Sequence, residues 1–217
     1  MVDTPQAVRN SDRRPDRVAA ALAAGFIVLL LATELVLSLP DETASAEAVA
    51  TFYADHRAFI IILQLLGFVA AFLLGGYAWR LRHVDRVVSI AGMVMAACGL
   101  VPGLITLVIA LVADPENPAP AGRWNQLEPR GDDILFIGIV VFAAAIAVRL
   151  GRNLPALGVL ALVVAVACLT RLALEAAGVS RGPLDAVGPL SFLTLMAVIA
   201  VLSFRGVLRT SPRRQPS

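Results

Sequence analysis

Six apolar stretches, each close to the length a helix needs to cross a bilayer, are joined by arginine-bearing connections and leave little chain for anything else. A hydrocarbon core about 30 Å thick takes about 20 residues of helix rising 1.5 Å each. The stretches fall at 18–39, 58–79, 87–113, 134–150, 154–177 and 184–204. They run continuously in Leu, Ala, Val and Gly instead of alternating, which predicts helices and not the strands of an outer-membrane barrel. A helix in lipid also satisfies its own backbone hydrogen bonds. The expected fold is all-α, a six-helix transmembrane bundle over 18–208. A polar segment 1–17 precedes it and a tail 209–217 follows, both expected to be disordered and cytoplasmic. Composition agrees: 16% of residues are charged and mean hydropathy is +0.82, whereas soluble domains carry about a quarter charged.

Arginine placement sets the expected orientation. The chain has no lysine, and of its 18 arginines 13 flank the stretches on one side: Arg9, Arg13, Arg14, Arg17, Arg80, Arg82, Arg86, Arg149, Arg152, Arg205, Arg209, Arg213 and Arg214. The other side and its helix ends hold Arg57, Arg123, Arg130, Arg171 and Arg181. By the positive-inside rule both termini are expected in the cytoplasm, with the chain multi-pass in a bacterial plasma (inner) membrane. Ala44-Ser45-Ala46 offers a small-residue cleavage pattern. The first stretch nevertheless exceeds the 7–15 residues of a signal-peptide apolar region, so it is expected to stay as a helix. The expected partner is the lipid bilayer. Nucleic acid is not, because no basic face is interleaved with aromatics.

The polar residues inside the stretches are the candidate site. Counting helical rise places Glu34, Gln64 and Arg171 roughly 10 Å below the outer ends of spans one, two and five. Ser191 and Thr106 fall near the same level, while Asp132, Asp133 and Trp124 stand at the outer mouth. A charge at mid-membrane costs about 2.5–3.5 kcal/mol on insertion scales and normally faces the bundle interior or water. Glu34 and Arg171 are therefore expected to pair across helices with Gln64 beside them, and Glu175 competes for the same arginine at i+4. One reading is a buried ion pair that fixes helix docking. Another is an outward-facing pocket where Arg171 binds an anionic or carbonyl-bearing ligand and Glu34 titrates or binds a cation. In a third, Arg171 snorkels to the outer headgroups.

The outer connections differ in character. After a cap at Asp41 or Thr43, the first reads as a short helix with Val49, Phe52 and Tyr53 on one face, lying on the membrane or closing over a pocket. The second, 114–133, carries Pro115, Pro118, Pro120 and Pro129 with Gly122 and Gly131, and is expected to be irregular. Its Trp124 either anchors at the interface or folds over the bundle with Asn125. Gly99, Pro102 and Gly103 predict a kink or a close helix contact in span three. Cys98 and Cys168 lack redox or metal-ligand spacing, and His56 and His83 fall on opposite sides. No HExxH, GxSxG or phosphate-loop pattern occurs, so no cofactor, metal or catalytic residue is expected.

Phe52-Tyr53-Ala54-Asp55-His56-Arg57 after an acidic, Ala-rich loop, then an apolar span and Arg80-Leu81-Arg82, resembles uncharacterised multi-pass proteins of actinobacteria. Asn153-Leu154-Pro155-Ala156-Leu157-Gly158 and Val187-Gly188-Pro189-Leu190 fit the same likeness. The resemblance implies six helices and a plasma membrane, and lends no activity. The function expected first is binding or transport of a small molecule or lipid at the outer polar pocket. The alternative is a structural or accessory subunit with a membrane-protein partner, its buried charges serving helix packing.

Overall fold

The computed structural model describes residues 16–34, 36–41, 43–179 and 184–208, and the side chains of Glu34, Leu184, Asp185 and Ala186 lie outside that set. The expectations for the two terminal segments fall on undescribed residues except at Asp16 and Arg17, where α1 begins and the chain is ordered helix start, not disordered tail. Among the described residues the chain is all-helical. The helices are α1 (Arg17–Glu34), α2 (Ala46–Asp55), α3 (Arg57–Arg80), α4 (Arg86–Cys98), α5 (Leu100–Val112), α6 (Ala119–Asn125), α7 (Glu128–Arg149), α8 (Pro155–Ala176) and α9 (Leu184–Phe204). Five helical segments, Arg57–His83, Arg86–Val112, Ala119–Arg149, Pro155–Ala176 and Val187–Phe204, are long and apolar enough to cross a membrane. A sixth apolar stretch, Arg17–Thr33 within α1, is shorter than these.

The kink in span three is present. Pro102 has no N–H to donate to the carbonyl four residues back, and the helix breaks at Gly99 between α4 and α5. The connection 114–133, in contrast, is not irregular. Pro118 precedes α6, Pro120 lies in its first turn, and Pro129 lies in the first turn of α7. At those positions the missing N–H would have had no helical partner anyway, and the fixed φ suits a helix start. The prolines therefore begin helices instead of interrupting them, and α7 starts six residues before the expected boundary at 134.

The long apolar helices form a closed ring. α1 packs on α3 and α9, α3 on α4 and α5, these on α7, α7 on α8, and α8 on α9. Lipid tails are as apolar as leucine, so helices in a bilayer associate through close packing, not through escape from water. Glycine supplies that closeness here. A Cβ on Gly138 would stand 2.8 Å from Cys98 Cβ, and one on Gly158 would stand 2.6 Å from Gly151 Cα. Tyr77, Phe142, Ile146, Leu195 and Met196 fill the interior, while Phe72, Val28 and Val159 are 70%, 65% and 63% exposed. An apolar belt exposed to that extent suits lipid contact.

α2 and α6 are too short to cross a bilayer and form a cap over one end. Ser45, not Asp41 or Thr43, is the N-cap of α2 and accepts from the Ala48 amide at 3.2 Å. Asp41 instead accepts from the Thr43 hydroxyl at 2.7 Å and the Thr43 amide at 2.9 Å. These bonds favour its charged form and hold its carboxyl below the usual range. Val49 and Tyr53 are fully buried against Ile60, Ile109, Ala110 and Ala121. The shared face expected for this helix therefore docks on the protein.

At the opposite end two aspartates each cap a helix and hold an arginine. Asp16 caps α1 through the Ala19 amide at 3.0 Å and pairs with Arg80 at 2.9 Å. Asp85 caps α4 through Val87 at 2.8 Å and pairs with Arg149 at 2.9 Å. A cap of this kind contributes about 1 kcal/mol. Gly178 and Gly206, both at φ 67, close α8 and α9, with Val179 N–H donating to Leu174 C=O and Val207 N–H to Leu202 C=O, each at 2.9 Å. This is the left-handed C-terminal closure that glycine adopts without strain.

Candidate functional site

The charged cluster forms between α7 and α8. Because α7 begins at Glu128, Asp133 stands more than a turn inside the helix, with Phe136 three residues on and thus on the same face. Arg171, on α8, is 2% exposed. Its Nη1 donates to Asp133 Oδ1 at 3.2 Å and lies 3.3 Å from Glu175 Oε2. The guanidinium carbon sits 3.9 Å from the centre of the Phe136 ring, where the ring quadrupole attracts a cation. Gly188 on α9 makes room for that ring: a Cβ there would stand 2.9 Å from Phe136 Cε1. Three helices thus meet around one arginine, and the guanidinium does not snorkel outward.

The expected members of the polar layer separate. Glu175 joins Arg171 at i+4, as its spacing indicated. Asp133, expected only at the mouth, is a direct partner. The side chain of Glu34 lies outside the described residues. Gln64 faces α5, where a Cβ on Gly103 would stand 3.0 Å from its Oε1. The Ser191 hydroxyl donates to the Gly188 carbonyl of its own helix at 2.8 Å. Asp132 is half-buried, and Trp124 is 37% exposed while its neighbour Asn125 folds inward at 1%.

A second polar group, not anticipated, lies under the cap. Thr106 Oγ1 donates to Glu128 Oε1 at 3.4 Å, and Asn125 Nδ2 donates to the Asp41 carbonyl at 3.0 Å. The Arg57 guanidinium donates to the Ala113 carbonyl, tying α3 to the end of α5. Tyr53 OH and Asn125 Oδ1 are buried without a hydrogen-bond partner among the described residues. Burial, and secondarily the Glu128 carboxylate, raise the ionisation of the Tyr53 phenol well above its ordinary range. The available signal was again the helical character of 119–133, which brings Asn125 and Glu128 onto a docked element.

Cavities occur at the far end of the bundle: one of ≈ 30 Å³ beside Asp16, Arg80 and Ser203, and one of ≈ 400 Å³ beside Trp79, Arg82 and Arg86. Chemically, the Arg171 cluster holds opposite charges in contact around a buried guanidinium. Such a pair locks helices where both partners stay and is costly to break. No protein-family model, curated protein or solved structure matches the chain.

Proposed function

We propose that this chain is a six-span protein of a bacterial plasma membrane, with both termini cytoplasmic, that serves as a structural or accessory subunit of a membrane complex. The observation that carries this reading is the enclosure of Arg171. Two carboxylates and an aromatic ring occupy the guanidinium, whose side chain is 3% exposed, so a ligand would have to displace an existing partner. Six crossings are supported by α1, whose 18 residues span roughly 27 Å at 1.5 Å per residue, near the hydrocarbon thickness. The likeness to actinobacterial multi-pass proteins suggests the same setting. The second reading, binding or transport of a small molecule or lipid at the outer leaflet, is favoured by Asp133 and Glu175, which keep 28% and 19% of their side-chain surface.

Arginine modification separates the two. In native membranes treated with phenylglyoxal, Arg171 should remain unmodified while the exposed Arg123 and Arg130 react, as read by peptide mass spectrometry. Modification of Arg171 at a comparable rate would favour the pocket and contradict the lock. Orientation has its own check. On intact cells, a membrane-impermeant maleimide should label Glu116→Cys and leave Arg152→Cys unlabelled until the cells are lysed. Both positions are exposed, at opposite ends of the bundle.

A further inference from the structure

We propose that the ≈ 400 Å³ crevice where α3 meets α4 is a binding site for the phosphate headgroup of an anionic phospholipid of the inner leaflet. The inference rests on the membrane reading above. Arg82, His83 and Arg86 line the crevice together with Ser89, and Trp79, Ile90 and Met93 form its apolar flank. Arg82 lies 4.1 Å from the centre of the Trp79 ring, and its Nε donates to His83 Nε2 at 3.4 Å, so guanidinium, imidazole and indole stand together.

Charge balance identifies the occupant. The two acids described at this end are already committed: Asp16 holds Arg80, and Asp85 holds Arg149 while capping α4. Among the described residues no carboxylate pairs with Arg82 or Arg86. Two exposed guanidiniums beside an imidazole therefore leave an uncompensated positive pocket. The same opening continues onto lipid-facing surface: Trp79 is 51% and Ile90 48% exposed. A diester phosphate answers the cations, and its acyl chains answer the flank, which a soluble anion or an acidic peptide would leave uncovered. Basic pockets at the membrane surface attract anionic headgroups in this way, and arginine binds phosphate in a forked geometry.

The test uses the full chain in nanodiscs, in a Trp124→Phe background so that Trp79 is the remaining indole. Phosphatidylglycerol or phosphatidylcholine with brominated acyl chains is introduced at equal mole fraction. The brominated anionic lipid should quench Trp79 several-fold more strongly. Arg82→Gln with Arg86→Gln should abolish that preference, while helical content stays unchanged. Equal quenching by the two lipids would overturn the site and leave the membrane reading intact. Relief of the preference by millimolar inorganic phosphate would assign the crevice to a soluble anion and also overturn it. Absence of quenching by either lipid would contradict the membrane reading itself. Should Trp124→Phe fail to fold, native mass spectrometry of the unsubstituted chain from mixed nanodiscs should show retained phosphatidylglycerol. The Arg82→Gln, Arg86→Gln chain should lose it, and retention there would overturn the proposal.

Discussion

Replacing Arg171 by leucine should lower stability by about 3–5 kcal/mol, the usual effect of removing one partner from a buried charge cluster. For a chain of this size that corresponds to a fall of roughly 10 °C in the unfolding temperature, read in detergent by circular dichroism or by size-exclusion of folded protein. The cause is less the lost attraction than what remains. Asp133 and Glu175 would face each other across α7 and α8 without the cation between them, and Phe136 would lose the planar group stacked on it. Neutralising the acids, with Asp133→Asn and Glu175→Gln, should recover part of the loss, because two neutral side chains are cheaper to keep out of water than two carboxylates. Lysine at 171 should rescue poorly, since an ammonium cannot stack on the ring as a planar guanidinium does.

Alanine at Gly138 or Gly158 should destabilise the bundle by about 1–3 kcal/mol despite alanine's better helix propensity. At Gly138 the new Cβ would meet Cys98 Cβ at 2.8 Å and the Met95 Cα at 3.2 Å; at Gly158 it would meet the Gly151 Cα at 2.6 Å. Backbone atoms cannot rotate aside as the end of a side chain can, so α7 would have to move away from α4, or the turn at Gly151 away from α8. Gly67 is the control. Nothing stands within 4 Å of a Cβ built there, so Gly67→Ala should be neutral or stabilising by up to about 1 kcal/mol. Unfolding temperatures of the three variants check the contrast. A comparable loss at Gly67 would indicate that helix propensity or bilayer contact, and not close approach, sets the effect.

The helices were legible because apolar runs long enough to span are rare outside membranes, and the Gly99–Pro102 break followed from proline's missing N–H. The partner of Arg171 was only half legible. Glu175 follows from i+4 spacing alone, whereas Asp133 depends on where α7 begins, and that turns on whether Pro129 ends a loop or opens a helix. Reading the prolines of 118–129 as first-turn residues would have put Asp133 and Phe136 on one helical face. Asp16 and Asp85 are not legible as caps, because a lone aspartate before an apolar run looks like ordinary surface charge. Their pairing with Arg80 and Arg149 depends on which helix ends meet in the ring. The cap cluster was hidden for a similar reason: Asn125 and Glu128 acquire partners only once α6 folds against α2 and α5.

A double-mutant cycle between Arg171 and Asp133 tests the lock most directly. Unfolding free energies are measured for the unsubstituted chain, Arg171→Met, Asp133→Asn and the pair together. The account predicts that the double variant is more stable than the sum of the single effects implies, with a coupling of about 1–3 kcal/mol. Additive effects within about 0.5 kcal/mol would contradict it, because the two side chains would then not hold α7 and α8 together.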